Sequence, residues 1–127
     1  MLKHRRPYVL VLRLVYKGHH YDFAIPLRSN ILPATPKSHY FPLPPRKQTR
    51  PGHRHGLHYT KMFPVTKEYL ERYRVEGNAS AELIQGIIMK NRKRIVQECQ
   101  DYLDSYAAGK RPAYSTDIDY LLRELFE

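Results

Sequence analysis

An α+β fold is expected for this chain of 127 residues, and three observations carry the expectation. The first half holds strand-length runs of β-branched and aromatic residues, prolines crowd positions 31–55, and the second half spaces its apolar residues by three, four or seven. Together they predict a compact, strongly curved antiparallel sheet or barrel with one long amphipathic helix and shorter helices packed against it. One domain over 1–127 fits the length, with a basic β-rich half (1–65) that binds and a helical half (66–127) that supports.

After the basic lead Lys3-His4-Arg5-Arg6, residues 7–16 read as a strand, with Leu10, Leu12, Leu14 and Tyr16 on one face and Val9, Val11, Arg13 and Val15 on the other. Both faces are largely apolar, which predicts a central strand. Lys17-Gly18-His19-His20 supplies a turn, Tyr21 to Leu27 returns as the second arm of a hairpin, and Arg28-Ser29-Asn30 stands where that arm ends. The stretch Ile31 to His55 has prolines at 33, 36, 42, 44, 45 and 51, so neither a helix nor a central strand fits it. A loop of this length is expected to be functional or ordered by a ligand.

Leu57 to Val65 reads as a third strand, ended by Pro64, on which Tyr59 and Lys61 share a face. Thr66 caps a short helix to Tyr73, broken by Gly77-Asn78. One long helix is predicted from about Ser80 to Ala108, with the stripe Ile84, Ile88, Ile95, Cys99, Tyr102 and Tyr106, in which Asn91 is out of place, and with Gly109 as its stop. A last helix starts at Ser115 or Thr116 and runs through Leu122, Leu125 and Phe126.

Charge is distributed unevenly. Residues 1–65 contain 12 Lys and Arg against the single acid Asp22, whereas residues 66–127 contain 10 against 11; all seven histidines lie in the first half. A polyanion is therefore expected to meet the N-terminal half. No apolar run is long enough for a membrane span and the basic N-terminus lacks a signal-like apolar segment, so a cytoplasmic protein without membrane partners is expected. The single cysteine, Cys99, excludes an intrachain disulfide framework and a multi-cysteine zinc site.

Arg28, Ser29 and Asn30 offer a phosphate fork, a hydroxyl and an orienting amide in succession. The same tripeptide also suits a plain turn. His53-x-His55-x-x-His58 has no neighbouring carboxylate or thiolate, so phosphate contact or acid–base work for His39, His53, His55 or His58 is favoured over metal binding. Lys61 suits either a phosphate contact or a protective edge lysine. Asn91, among Lys90, Arg92, Lys93 and Arg94, either satisfies buried backbone groups or meets a nucleotide. RNA supplies its own nucleophile, the 2′-hydroxyl, so arginine, lysine, serine and histidine suffice for cleavage. With one acid before residue 66, two-metal hydrolysis has no evident ligands, and no cofactor is expected.

In order along the chain, Arg6-Pro7-Tyr8, Ile25-Pro26-Leu27-Arg28-Ser29-Asn30, His39-Tyr40-Phe41, Gly56-Leu57-His58-Tyr59-Thr60-Lys61 and Asn91 with Ile95 resemble the endoribonuclease toxins of type III toxin-antitoxin systems. That group comprises ToxN, AbiQ, CptN and TenpN, and the TenpN branch is the most similar. The resemblance implies a barrel related to the MazF and Kid toxins with added helices, and RNA cleavage leaving a 2′,3′-cyclic phosphate. It also implies a small repeated RNA antitoxin that the toxin processes and holds in a closed protein–RNA assembly, in defence against phage. Ser29 matches the serine the group needs, and Lys61, Thr60 and Asn91 match residues of the TenpN branch. Arg28 stands for a threonine and Arg6 for a lysine of the ToxN branch. Ile31 replaces a further lysine, whose role is vacant or passes to Lys37 or Lys61, and His58 replaces an aspartate.

The catalytic set expected is Ser29, Arg28, His39 and Lys61. The RNA-binding set expected is Arg5, Arg6, Asn30, Lys37, Arg54, His58, Tyr59, Thr60, Asn91 and Arg92. Two other classes compete: a non-catalytic RNA-binding module, and a toxin restrained by a protein antitoxin.

Overall fold

A computed structural model describes residues 9–47, 49–68 and 79–126. Its five strands are β1 (Val9–Tyr16), β2 (His19–Ile31), β3 (Tyr40–Leu43), β4 (Arg54–His58) and β5 (Phe63–Val65). Short 3-10 turns occupy Lys37–His39 and Tyr59–Lys61, and three helices follow: α1 (Ala79–Lys90), α2 (Arg92–Ala107) and α3 (Ile118–Phe126). The architecture is α+β, a curled antiparallel half-barrel in the order β1-β2-β4-β3, with β5 also on β2.

β2 organises the sheet. Its first part pairs with β1 from His19 opposite Tyr16 to Pro26 opposite Val9, and from Leu27 onward it pairs with β4. The strand is thus longer than the predicted Tyr21–Leu27, and Arg28-Ser29-Asn30 lies within it, at a register shift between Arg28 and Ile31. The reason is the change of partner: β4 hydrogen-bonds the segment that lacks a partner in the hairpin. A bulge bends a strand and re-aims its side chains, which here falls on the tripeptide singled out by its chemistry.

β1 is an edge strand, not a central one. Its apolar outer flank is covered by α2, whose Gln100 side chain accepts from the Val15 amide at 3.0 Å and donates to the Val15 carbonyl at 2.8 Å. A side-chain amide here replaces a neighbouring strand. The proline-rich stretch contains β3, and its Pro42 is exposed on an edge, where the missing N–H costs nothing. The predicted strand Leu57–Val65 is interrupted, because Tyr59–Lys61 coil into a 3-10 turn closed by Met62 N–H to Tyr59 C=O (3.0 Å).

The helix predicted over 80–108 is two helices that meet at Asn91. The stripe survives the break: Ile88, Ile95, Cys99, Tyr102 and Tyr106 are all buried. Asn91 donates its side-chain amide to the Ile87 carbonyl (2.8 Å), satisfying the backbone locally at the break. α2 ends at Gly109, which adopts φ +99°, with Lys110 N–H to Ser105 C=O (2.9 Å) and Gly109 N–H to Tyr106 C=O (3.0 Å), a Schellman closure. The cap of α3 is Asp117, whose carboxylate accepts from Tyr120 N–H (3.1 Å), instead of Ser115 or Thr116. Most of the helix predicted from Thr66 to Tyr73, and the break at Gly77-Asn78, lie outside the described residues.

Leu12, Leu14, Phe23, Ile25, Leu57 and Met62 from the sheet meet Ile95, Cys99, Leu103 and Ile118 in the core. Asp119 ties α3 to this body by accepting from the Tyr16 hydroxyl (2.8 Å), Lys17 (3.2 Å) and Arg111 (2.9 Å). Burial opposes its ionisation, but those three donors outweigh it and hold the Asp119 carboxyl below its usual range. No described helix is long and apolar enough to cross a membrane.

Candidate functional site

Strand register brings the first group together. Arg28 faces Gly56 across β2 and β4, and two residues along β4 the same face carries His58. Gly56 has no side chain because none fits: a Cβ there would lie 2.1 Å from the Phe41 carbonyl oxygen of β3. That close crossing sets His58 opposite Tyr40, the residue after His39. Lys61, in the 3-10 turn that starts beside His58, donates its ammonium to the Tyr114 carbonyl.

His58 is the centre of this group. Its Nδ1 is buried and has no hydrogen-bond partner among the described residues. Burial, then the charges of Arg28 and Lys61 and the neighbouring His39, push its pKa down to about 4, so the ring is neutral near pH 7. His39, half-buried, is also lowered by burial. The site therefore pairs fixed cations with two uncharged imidazoles, which can accept protons and bind an anion without one of their own.

The other expected residues divide. Ser29 is half-buried at the bulge, and pleat alternation sets it with Leu27 instead of Arg28; its hydroxyl makes no hydrogen bond among the described residues. Asn30 accepts from the Arg50 amide at 2.7 Å, which fastens the proline-rich stretch to β2. Lys37, Arg54 and Arg92 are exposed, and Arg54 donates to the Gly52 carbonyl (3.0 Å). Arg5 and Arg6 lie outside the described residues.

Three expected RNA contacts have partners within the protein. Tyr59 is fully buried and its hydroxyl donates to Glu98 (2.7 Å), so it is a core residue; burial first, then that carboxylate, pushes its pKa up. Thr60 is buried, and its carbonyl accepts from Thr116 N–H (3.0 Å). The Asn91 amide is engaged at the helix junction. A strand reading hid the inward placement of Tyr59, because the 3-10 turn rotates it.

The three histidines of the 53–58 segment do not converge. His55 is buried with Nδ1 2.7 Å from the Pro44 carbonyl, which can only accept, so the proton sits on Nδ1. His53 Nδ1 lies 3.4 Å from the Pro51 carbonyl. Among the described residues, no three His, Cys, Asp or Glu side chains are grouped to hold a metal. Cys99 is buried, and burial raises its thiol pKa, which suits a core residue.

Next to this group opens a cleft of about 700 Å³ between the 37–39 turn, one face of α2 and residues 110–112. His39 lines it and meets the Tyr102 ring edge-on, centroids 6.3 Å apart. Burial pushes the Tyr102 pKa up to about 12, with the Ser115 hydroxyl acting in the opposite sense. Arg94 lies 5.1 Å above the Phe41 ring and donates to Glu98 at 2.8 Å, while Arg111 stacks on Tyr106 at 4.2 Å. The sequence analysis singles out Arg94 of this wall only as a neighbour of Asn91 and gives Glu98 and Asp101 no role. The alternation of both charges with Tyr102 was the available signal. No family model, curated protein or solved structure matches the chain.

Proposed function

We propose that this protein is a metal-independent endoribonuclease toxin of the type III kind, cleaving RNA by 2′-hydroxyl attack to leave a 2′,3′-cyclic phosphate. One observation carries the reading: Arg28, Lys61 and His39 gather around a half-buried, neutral His58 in a half of the chain that has one acid. The resemblance of the ordered motifs supports the toxin assignment. On that reading the half-barrel is a MazF- and Kid-type barrel with added helices. Its inhibitor is a small repeated RNA that the protein processes and holds in a closed protein–RNA assembly in the cytoplasm, in defence against phage.

The chemistry follows from the groups. The scissile phosphate sits at Arg28 and Lys61, whose charges stabilise the additional negative charge of the transition state. His58 takes the proton of the 2′-hydroxyl as its oxygen bonds to phosphorus. The bond from phosphorus to the 5′-oxygen breaks, and that oxygen receives a proton from the Lys61 ammonium. Phosphate entry offsets the cationic field that weakens His58 as a base, so the substrate raises the basicity it requires. Ser29, one residue beyond Arg28, adjusts the bulge that aims the guanidinium.

The test is incubation with RNA in excess chelator, with His58→Gln, Arg28→Ala and Ser29→Ala beside the wild type. Cyclic phosphate ends are expected, and loss of His58 or Arg28 slows their appearance by about 100-fold or more. Intact RNA after long incubation with the wild type overturns the enzyme reading. A non-catalytic RNA-binding module is the second reading, favoured by the low basicity of His58 in the free protein. It is selected if RNA is bound in a salt-sensitive way and stays whole.

A further inference from the structure

The cleft beside His39 differs in chemistry from the cationic group around His58. Its volume lies within the roughly 300–1,000 Å³ of clefts that hold small ligands. Two carboxylates, Glu98 and Asp101, stand one helical turn apart in its α2 wall and supply charged acceptors, beside the cations Lys37, Arg94, Lys110 and Arg111. Glu98 is engaged on both oxygens, by Tyr59 and Arg94. Asp101 accepts from Gln97 through Oδ1 only (2.8 Å), so among the described residues Oδ2 keeps its acceptor capacity. The edge-on rings of His39 and Tyr102 give the cleft an apolar side, and the exposed Lys37 and Lys110 approach from its other two walls.

A chain that brings phosphates to Arg28 and a flat, uncharged group with hydrogen-bond donors to this cleft is single-stranded RNA. We propose that the cleft receives one unpaired nucleobase next to the phosphate held by Arg28 and Lys61, packed in the corner that the His39 and Tyr102 rings form and with its exocyclic amino group donating to Asp101. The inference rests on the RNA reading above and adds to it a specificity residue, Asp101, and a preference for amino-bearing bases. His39 links the two subsites, since it lines the cleft and is close enough to His58 to act on it electrostatically. Lys37 and Lys110 meet the flanking phosphates.

Fluorescence anisotropy with labelled 2′-O-methyl ten-mers, which cannot be cleaved, tests this directly. The probes are all-cytidine, all-uridine and abasic strands; cytosine and uracil differ at the 4-amino group, the pyrimidine N3 proton and the hydrogen-bond pattern these set. Cytidine is expected to bind at least about fivefold tighter than uridine, and the abasic strand more weakly than either by a similar factor. Asp101→Asn, an exposed substitution, brings cytidine and uridine within about twofold of each other and leaves abasic binding within about twofold of wild type. Equal binding of all three strands to the wild type, or an undiminished cytidine preference in Asp101→Asn, overturns the cleft assignment while leaving the RNA reading in place. Failure of every strand to bind overturns both.

Discussion

The Gln100 carboxamide grips the backbone of Val15 from both sides, accepting from its amide and donating to its carbonyl at 3.0 and 2.8 Å. The pair sets the height of α2 along β1. Glu98 then falls at the Tyr59 hydroxyl, Arg94 over Phe41, and Asp101 and Tyr102 at the cleft. Removing the grip leaves a strand edge without a partner. Gln100→Ala is expected to lower unfolding free energy by about 1–3 kcal/mol, read as a lower urea midpoint with an unchanged slope.

Gly56 is required by contact and not by turn geometry. Since a Cβ would lie 2.1 Å from the Phe41 carbonyl oxygen, which is backbone, β3 must move away from β4. Gly56→Ala is expected to cost about 1–3 kcal/mol or more and to displace His39. Hydrogen exchange checks it: amides of Tyr40 to Leu43 should lose protection before those of β1.

Acidification acts on His58. Unfolded, its ring takes a proton near pH 6.5; folded, only near pH 4. The unfolded state thus binds more protons between these values, so stability falls as pH drops from about 6.5 to 4, by on the order of 2 kcal/mol. His39 and His55, also lowered by burial, act in the same direction. Proton NMR should give a His58 midpoint near 4 that rises when a non-cleavable RNA is added, and His58→Gln should flatten part of the stability slope. A midpoint near 6.5 in the free protein contradicts the buried cationic setting.

Tyr59 separates support from recognition. Its buried hydroxyl serves Glu98, so Tyr59→Phe is expected to lose about 1 kcal/mol of stability, measured by denaturant unfolding. RNA affinity at fixed salt should remain within about twofold. A large loss of affinity with unchanged stability would return Tyr59 to the interface.

What could be read from residues alone was whatever depends on neighbours in the chain. Alternation set Leu12, Leu14 and Tyr16, all buried, on one face, the three-and-four spacing found the buried stripe from Ile88 to Tyr106, and Gly109 marked the end of its helix. The charge asymmetry was equally local, since it needs only counting. Local pattern failed where a distant partner overruled it. β2 runs on through Ser29 because β4 pairs with it, Tyr59 turns inward because Glu98 awaits its hydroxyl, and Asn91 breaks a helix by bonding the preceding turn.

Sequence alone determined the α+β class, through its strand-length runs and helical spacing, and a strongly basic first half. Only the tertiary structure decided that His58, whose buried Nδ1 has no hydrogen bond among the described residues, is the group around which Arg28, Lys61 and His39 gather. Only it opened a cleft between residues 37–39 and 110–112. The physical reason is that burial and the sum of nearby charges depend on positions in space, and segments far apart in the chain set both.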